Sequence, residues 1–165
     1  MSDHVAGVVE QWRERRPDLD LTGMAVFARI SRIERIAELR RAEVLDRLGL
    51  QSSDVSVLAA LWRHPGGLRP LELRRTMLVG SGTLTARLDR LEAAGLLERL
   101  PDASDRRGRV LHLTARGSEL VPAVVTELLD IENELLAALP PGVRERLCKD
   151  LGRLSRDLEQ GAGEG

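Results

Sequence analysis

The sequence has 165 residues and a hydrophobic content of 42%, which is enough for one compact domain with a sizeable core. Charged residues make up 31%, and no apolar run approaches the roughly 18 residues of a membrane helix. No basic segment followed by an apolar one opens the chain, so we expect a cytoplasmic protein without a membrane partner. The single cysteine, Cys148, excludes a disulfide framework within one chain.

Basic charge is concentrated in the middle of the chain. The net charge is −1, but the segment from Arg63 to Arg109 has ten arginines against six acidic residues and therefore carries +4. Arginine accounts for 24 of the 25 basic residues, and its planar guanidinium suits bidentate contacts with phosphate. A high-GC genome would produce the same arginine excess, so composition leaves both explanations open. The uneven distribution is what a nucleic-acid-binding protein of neutral net charge requires.

Two amphipathic helices are predicted in the first fifty residues. The first ends before Pro17 and has four apolar residues at the i, i+3, i+4, i+7 spacing of one helical face: Val5, Val8, Val9 and Trp12. The second runs from about Thr22 to Leu48, with Gly49 as its expected end. The apolar residues that recur along it at helical spacing are Val26, Ile30, Ile33, Ala37, Val44 and Leu48.

Three shorter helices follow. We expect Ser52 or Ser53 to cap the first, whose predicted buried stripe is Val55, Leu58, Ala59 and Trp62. The second spans Pro70 to Met77. After a break at Gly80-Ser81-Gly82, the third runs from about Thr83 to Ala94 and ends at Gly95. Its apolar side is predicted to consist of Leu84, Leu88, Leu91 and Ala94.

A β-hairpin and two long helices complete the chain. Residues 96–100 and 109–113 have the apolar and polar alternation of two strands, and they are joined by a turn-rich, charged tip at 101–108. Thr114 is expected to cap a helix with the apolar residues Val121, Val124, Val125, Leu128, Ile131, Leu135 and Leu139. A break at 140–142 precedes a last helix with Val143, Leu147, Leu151, Leu154 and Leu158, and Gly161 should begin a frayed tail.

The two short helices with a glycine turn, followed at once by a hairpin with arginines at its tip, predict a winged helix-turn-helix. This is a mainly α fold with a small β-hairpin wing. An α-helix fits the major groove of B-DNA, so the exposed side of the second helix can meet base edges. By itself the charged hairpin tip is typical of a solvated turn; next to the helix pair it indicates a wing. The predicted DNA-binding residues are Ser81, Thr83, Thr85, Arg87, Arg90, Arg106, Arg107 and Arg109.

Several segments share the residues and spacing of one family: Gly80 to Glu92, Gly95-Leu96, Pro101-Asp102, Asp105-Arg106-Arg107-Gly108, and Leu113-Thr114 with Gly117. They closely resemble the MarR family of bacterial transcriptional regulators. The resemblance covers nearly the whole chain. It implies a homodimer with interlocked terminal helices, an operator with inverted-repeat symmetry, and a ligand or oxidant that weakens DNA binding, with repression as the usual outcome.

The apolar stripes of the terminal helices also favour a dimer, because one small winged domain has too little surface to bury them. We therefore expect dimerisation helices at 1–50 and 115–165 around a DNA-binding domain at 51–114. Two recognition helices related by a two-fold axis would meet successive major grooves of double-stranded DNA. A small-molecule effector that changes their separation would change affinity.

Within the family, the N-terminal segment resembles the branch with an additional helix, whose members respond to urate or other small anionic or phenolic ligands. In that branch the resemblance assigns ligand binding to Trp12, Arg87 and Arg99, with Ser56 at the position of an aspartate. The departure at Ser56 favours an anion other than urate. Core packing is an equally good interpretation of Trp12.

Other kinds of site find little support. His4, His64 and His112 lack metal-ligand spacing, no cofactor is expected, and Gly80-Ser81-Gly82 is too short for a phosphate-binding loop. Cys148 lies beside an apolar stripe, which favours a buried structural thiol over a peroxide sensor. No nucleophile, base and orienting acid converge as an enzyme would need. The alternative to a DNA-binding regulator is a winged-helix module that contacts protein.

Overall fold

The computed structural model describes residues 3–77, 81–102, 104–105 and 108–162. Over these residues the chain forms seven helices and one β-hairpin, and it divides into two compact units after Leu128. The elements in chain order are α1 His4–Arg15, α2 Thr22–Leu48, α3 Ser52–Trp62, α4 Pro70–Met77, α5 Ser81–Ala93, β1 Leu97–Pro101, β2 Arg109–Leu113, α6 Ala115–Leu136 and α7 Pro141–Ala162. The described part therefore has the predicted architecture, a helical chain with a two-stranded antiparallel wing.

Helix α1 packs on the start of α2 and forms a small core of its own. Val5 and Val9 are buried together with Leu21, as the apolar spacing predicts. The Asp3 carboxylate caps α1 by accepting a hydrogen bond from the Ala6 N–H at 2.7 Å, and it also accepts one from Arg29 on α2. The cap and the ion pair together fix α1 against α2.

Helix α2 has the predicted bounds and leaves much of its apolar surface exposed. Gly49 ends it in the left-handed conformation, with φ of +64°. Near its C-terminus, Val44 and Leu45 are buried. Six apolar residues along the rest of the helix remain exposed: Val26, Phe27, Ile30, Ile33, Ile36 and Leu39. The single chain offers no cover for this face among its described residues.

The core of the winged domain lies between α3, α4, α5, the hairpin and the first half of α6. Its largest fully buried apolar side chains are Val57, Leu58, Leu73, Leu91, Leu97 and Leu111. Burial of each leucine contributes about 2 kcal/mol relative to exposure, so these contacts fix the positions of the short helices. Helix α3 is buried on more sides than its predicted stripe, since Val57, Ala60 and Leu61 are also buried. The predicted burial of Trp62 is wrong: this last residue of α3 is 51% exposed.

Two helix starts differ from the sequence prediction. The N-cap of α3 is Gln51 and not Ser52 or Ser53, because the Asp54 carboxylate accepts a hydrogen bond from the Gln51 N–H at 2.9 Å. Helix α5 begins at Ser81, two residues before the predicted start, so Gly82 lies in its first turn. Gly80 is outside the described residues. Helix α5 ends at Ala93, and the predicted stripe residue Ala94 is exposed.

The wing pairs β1 with β2 in the register Leu97↔Leu113 to Pro101↔Arg109. A third segment joins it, because Leu68 exchanges two backbone hydrogen bonds with Leu111, at 3.1 and 2.8 Å. Gly67 makes this approach possible: its φ is +79°, and a Cβ there would lie 2.5 Å from Val110 Cγ1. The loop before α4 is thereby attached to the wing.

The turn from α5 to β1 also anchors α6. Gly95 has φ of +68°, and the Thr114 hydroxyl donates a hydrogen bond to its carbonyl at 2.7 Å. The same hydroxyl oxygen accepts the Gly117 N–H at 3.1 Å, which confirms Thr114 as the cap of α6. Gly117 is closely packed, since a Cβ there would lie 2.0 Å from the Leu96 carbonyl oxygen. This contact places α6 directly over the start of the wing.

The C-terminal unit differs from the prediction in three places. Helix α6 ends at Leu136, so Leu139 lies in the connecting turn. Helix α7 begins at Pro141, a favoured residue at a first helical position, and continues through Gly161, which was expected in a frayed tail. Cys148 is exposed in the single chain, so the expected burial of its thiol is wrong for this chain. Three leucines of α7 are exposed as well: Leu147, Leu151 and Leu158.

Candidate nucleic-acid interface

The buried side of α5 determines which residues it presents outward. Leu84, Leu88 and Leu91 are buried in the core at intervals of three and four residues. Thr83 and Thr85 lie in the first turns of α5 and are exposed. Hydroxyl groups and backbone N–H groups at the start of a helix are suited to phosphate oxygens. The α5 geometry thus offers a surface of the kind that enters a DNA groove.

Of the other predicted DNA contacts, Arg109 is exposed on β2 and Ser81 is the first residue of α5. Arg106 and Arg107 lie outside the described residues. The roles of all four in DNA binding stay predictions.

The two arginines of α5 both face an acidic residue of α3. Arg90 Nη2 lies 2.5 Å from Asp54 Oδ1, and a second hydrogen bond joins Arg90 to Gln51 Oε1 at 3.4 Å. Arg87 Nε lies 4.0 Å from the same Asp54 oxygen, and the Arg87 side chain is only 12% exposed. The Arg87 guanidinium is therefore directed toward α3 and is largely withdrawn from solvent. The Arg90 side chain is 48% exposed although it pairs with the same acid.

Asp54 is the acidic residue that the sequence interpretation missed. It is fully buried at the start of α3, where it caps the helix and pairs with α5. Ser56, assigned to the aspartate position, is exposed, and its hydroxyl donates to the Ser52 carbonyl at 3.0 Å. Ser56 and Asp54 are two residues apart, which on a helix is a rotation of about 200°, so the two side chains leave α3 on different sides, and the role of Ser56 in ligand binding stays a prediction. The capping-box pattern of Gln51 and Asp54 was the available signal.

Arg99 links the wing to α5. From β1 its guanidinium binds Asp89 at 2.6 Å and also pairs with Glu92, and both of these acids belong to α5. The two ion pairs neutralise carboxylates that would otherwise lie close to the proposed phosphate-facing side of the helix.

Trp12 lies apart from these arginines in the described contacts. It is 43% exposed on α1, whose buried residues form the separate small core with the start of α2. No described hydrogen bond or ion pair joins α1 to Asp54, Arg87 or Arg99. The structure brings together Asp54, Arg87 and Arg90, and it leaves Trp12 outside that group.

The wing tip is closed by its own backbone and by an arginine from outside it. Asp102 N–H donates to the Gly108 carbonyl at 3.1 Å, and Gly108 N–H donates to the Asp105 carbonyl at 2.9 Å. Arg69, in the loop before α4, binds Asp102 at 2.7 Å and the Ser104 hydroxyl at 2.7 Å. The Arg69 guanidinium, with help from the Ser104 N–H and hydroxyl, holds the pKa of Asp102 well below its ordinary range. Asp102 is therefore charged at neutral pH.

Two histidines of the described part of the chain, His64 and His112, contact neighbouring backbone. His64 Nδ1 lies 2.8 Å from the Ala60 carbonyl oxygen, and the His112 ring packs against Gly67. Among the described residues, no three metal-ligating side chains are grouped as a metal site requires. None of the described helices is long and apolar enough to cross a membrane.

Comparison with known proteins identifies the family. The sequence pattern described as MarR family matches residues 48–108. The HTH-type transcriptional regulator PecS of Dickeya dadantii is 34% identical over 156 residues, which cover 93% of this chain and 94% of PecS. The chain belongs to the MarR family.

Solved structures agree with this assignment. A crystal structure of MarR is 29% identical and superimposes with a TM-score of 0.74, over 90% of this MarR-family chain and 97% of that one. A MarR mutant from Escherichia coli, complexed with operator DNA, is 26% identical with a TM-score of 0.70, over 93% and 99% of the two chains. The winged helix-turn-helix expected from sequence is confirmed. This MarR-family chain is a DNA-binding transcriptional regulator and not an enzyme.

Proposed function

We propose that this chain represses transcription as a homodimer that binds an inverted-repeat operator and leaves it when a small anionic or aromatic ligand binds. The observation that carries the proposal is the outward side of α5, with Thr83 and Thr85 exposed beside a wing that bears Arg109. A groove-sized helix and an adjacent basic hairpin suit the major groove and the neighbouring backbone or minor groove. The operator complex of the related MarR supports this reading.

The dimer part of the proposal is supported by apolar surface that the single chain leaves exposed. On α2, Ile33 is 65% exposed and Phe27 is 54% exposed. On α7, Leu158 is 55% exposed. A second copy of the chain would bury such faces, in keeping with the predicted roles of 1–50 and 115–165 in dimerisation and of 51–114 in DNA binding. The two-fold axis would place two α5 helices about 34 Å apart, one helical repeat of DNA.

The proposed response to a small ligand is supported by the buried contact between α3 and α5. The Nη1 atom of Arg87 is buried and has no hydrogen-bond partner among the described residues. A small anion that took this donor would compete with Asp54 and pull on the helix that faces DNA. Trp12, Ser56 and Arg99 stay proposed ligand residues, and we add Asp54 to them because it pairs with α5.

DNA binding is tested by removing wing arginines one at a time. In a fluorescence anisotropy titration with an inverted-repeat duplex selected from a random pool, Arg106→Ala and Arg109→Ala should each weaken binding. Each should also lower the slope of log affinity against log salt by about two units, because in a homodimer each removes one phosphate contact from both protomers. Arg13→Ala, which removes an exposed arginine of α1, should change neither. Salt-independent binding by the unaltered chain would instead favour the protein-contact module.

Ligand binding is tested by calorimetric titration with urate and with salicylate. We expect Arg87→Ala to weaken binding of either anion by at least about tenfold, because it removes a buried charged donor. Arg13→Ala serves as the control here too. If the unaltered protein binds neither anion and neither displaces DNA, the anion-release part of the proposal is wrong.

A further inference from the structure

Arg69 is the arginine that joins the helix-turn-helix to the tip of the wing. It lies in the loop before α4, 33 residues from Asp102 along the chain. Its Nε donates to Asp102 Oδ2 at 2.7 Å, and its Nη2 donates to the Ser104 hydroxyl at 2.7 Å. A guanidinium that makes two directed bonds fixes the orientation as well as the position of its partners.

The loop that carries Arg69 is held at both ends. On one side, Leu68 is bonded to Leu111 of β2 through two backbone hydrogen bonds. On the other, the Arg69 N–H donates to Glu72 Oε2 at 2.7 Å, which ties the loop to the first turn of α4. The loop is therefore a rigid base from which the Arg69 side chain reaches the wing tip.

The partner of Arg69 is an acid in an unfavourable place for DNA binding. The Asp102 side chain is only 7% exposed beneath Arg69. Its carboxylate also accepts hydrogen bonds from the N–H and the hydroxyl of Ser104, both at 2.8 Å. Gly108 packs against Asp102 on the far side of the turn, where a Cβ would lie 3.0 Å from the Asp102 Cβ. If Arg69 were absent, an uncompensated negative charge would face the region where phosphates are expected.

We propose that Arg69 is a positioning residue for the wing, which it holds at a set angle to α5 while it screens Asp102 from the DNA backbone. The inference rests on the proposed function, because a wing angle matters only to a chain that binds DNA with its wing. Arg69 acts through Asp102 and Ser104 and not through a phosphate contact of its own.

The first test needs no DNA. Amide hydrogen exchange is measured by NMR at Ser104 and Gly108, in the unaltered protein and in the variants Arg69→Ala and Asp102→Asn. Both variants should accelerate exchange at these amides, by about fivefold for a partly exposed ion pair. Arg13→Ala, which breaks an exposed Arg–Glu pair on α1, should leave wing exchange unchanged. Unchanged exchange in Arg69→Ala would overturn the proposal.

The second test is DNA affinity over a range of salt concentrations, with Arg69→Ala, Asp102→Asn and the double variant. Arg69→Ala should bind about fivefold more weakly with an unchanged salt slope, and the double variant should regain part of the loss. A slope lower by about two units, one for each protomer, with no recovery in the double variant, would show a direct phosphate contact and overturn the proposal. Failure of the unaltered chain to bind any duplex would refute the proposed function, whereas the exchange data would still show whether Arg69 orders the wing.

Discussion

At the residue scale, Asp54 is a buried charge that holds two helices of the winged domain together. It caps α3, pairs with Arg90 and lies beside Arg87 while fully buried. A buried carboxylate is tolerated only when its charge is compensated, so the position of α5 against α3 depends on these contacts. The same contacts decide how far the α5 arginines are available to DNA or to an anion.

Replacement of Asp54 should therefore destabilise the protein strongly. Asp54→Ala is expected to lower the free energy of unfolding by about 3 kcal/mol, because it removes the cap and leaves Arg87 buried without its acid. Asp54→Asn, which keeps a capping oxygen, should cost less. Urea denaturation followed by circular dichroism measures both.

The matched control is Asp89→Ala, which also deprives an arginine of its acid but at an exposed position. The expected loss there is under about 1 kcal/mol. Equal losses for Asp54→Ala and Asp89→Ala would mean that burial of Asp54 contributes nothing.

The wing acid Asp102 gives a prediction for the pH dependence of stability. Its pKa in the folded chain is held below the ordinary value of 3.8, chiefly by Arg69. The stabilisation is then fully present above the unfolded pKa and is lost as the pH falls toward the folded pKa. The difference in unfolding free energy between the unaltered protein and Asp102→Asn should stay constant from about pH 7 to 5 and shrink below about pH 4. A difference that is the same at pH 3 and pH 7 would contradict the assignment.

At the element scale, the sequence predicts the helices with strong local signals and misses features that depend on distant contacts. Helix α2 has the predicted bounds because its apolar period is long and Gly49 supplies a left-handed end. The sequence pattern predicts the start of α5 two residues too late, because glycine commonly marks a break, whereas the first turn of this helix accommodates Gly82. Periodicity alone predicts Trp62 in the core, yet the helix ends there and the side chain is exposed.

In the candidate site, too, features set by local sequence patterns can be predicted, and contacts between distant residues cannot. The outward side of α5 could be predicted, since the leucine spacing alone orients the helix. The pairing of Arg87 with Asp54 could not, because residues 33 positions apart meet only once α3 and α5 have packed. Arg69 and Asp102 are separated by the same distance in sequence, and no local pattern joins them.

The junction of α6 with the α5–β1 turn gives a prediction about an element boundary. Gly117→Ala would put a methyl group 2.0 Å from the Leu96 carbonyl oxygen, where two backbone segments meet. We expect a loss of about 3 kcal/mol or more in unfolding free energy, because neither backbone can move without displacing α6 or β1. Thermal unfolding of the variant and of the unaltered protein measures this loss.

Gly7→Ala is the control for this substitution. Gly7 lies inside α1, and apart from the backbone of that helix and its chain neighbours no described atom lies within 4 Å of an added Cβ, so alanine should stabilise the helix by up to about 1 kcal/mol. If the two alanine variants were equally stable, the close packing at Gly117 would be refuted.

At the scale of the whole molecule, the exposed apolar face of α2 predicts self-association. Ile33→Asp places a charge at its most exposed isoleucine and should convert a dimer into a monomer in sedimentation experiments. Ser31→Asp adds the same charge to a polar, exposed position of α2 and should leave the dimer intact. A dimer that survives Ile33→Asp would exclude this face from the interface.

DNA binding by a symmetric pair of winged domains is tested most directly by the stoichiometry of the complex. Titration of the inverted-repeat duplex with the purified chain, at concentrations well above the dissociation constant, should saturate at two chains per duplex. Removal of one half-site should abolish the tight complex, because both α5 helices are needed in successive grooves. Saturation at one chain per duplex, with full affinity for a single half-site, would contradict the proposed mode of binding.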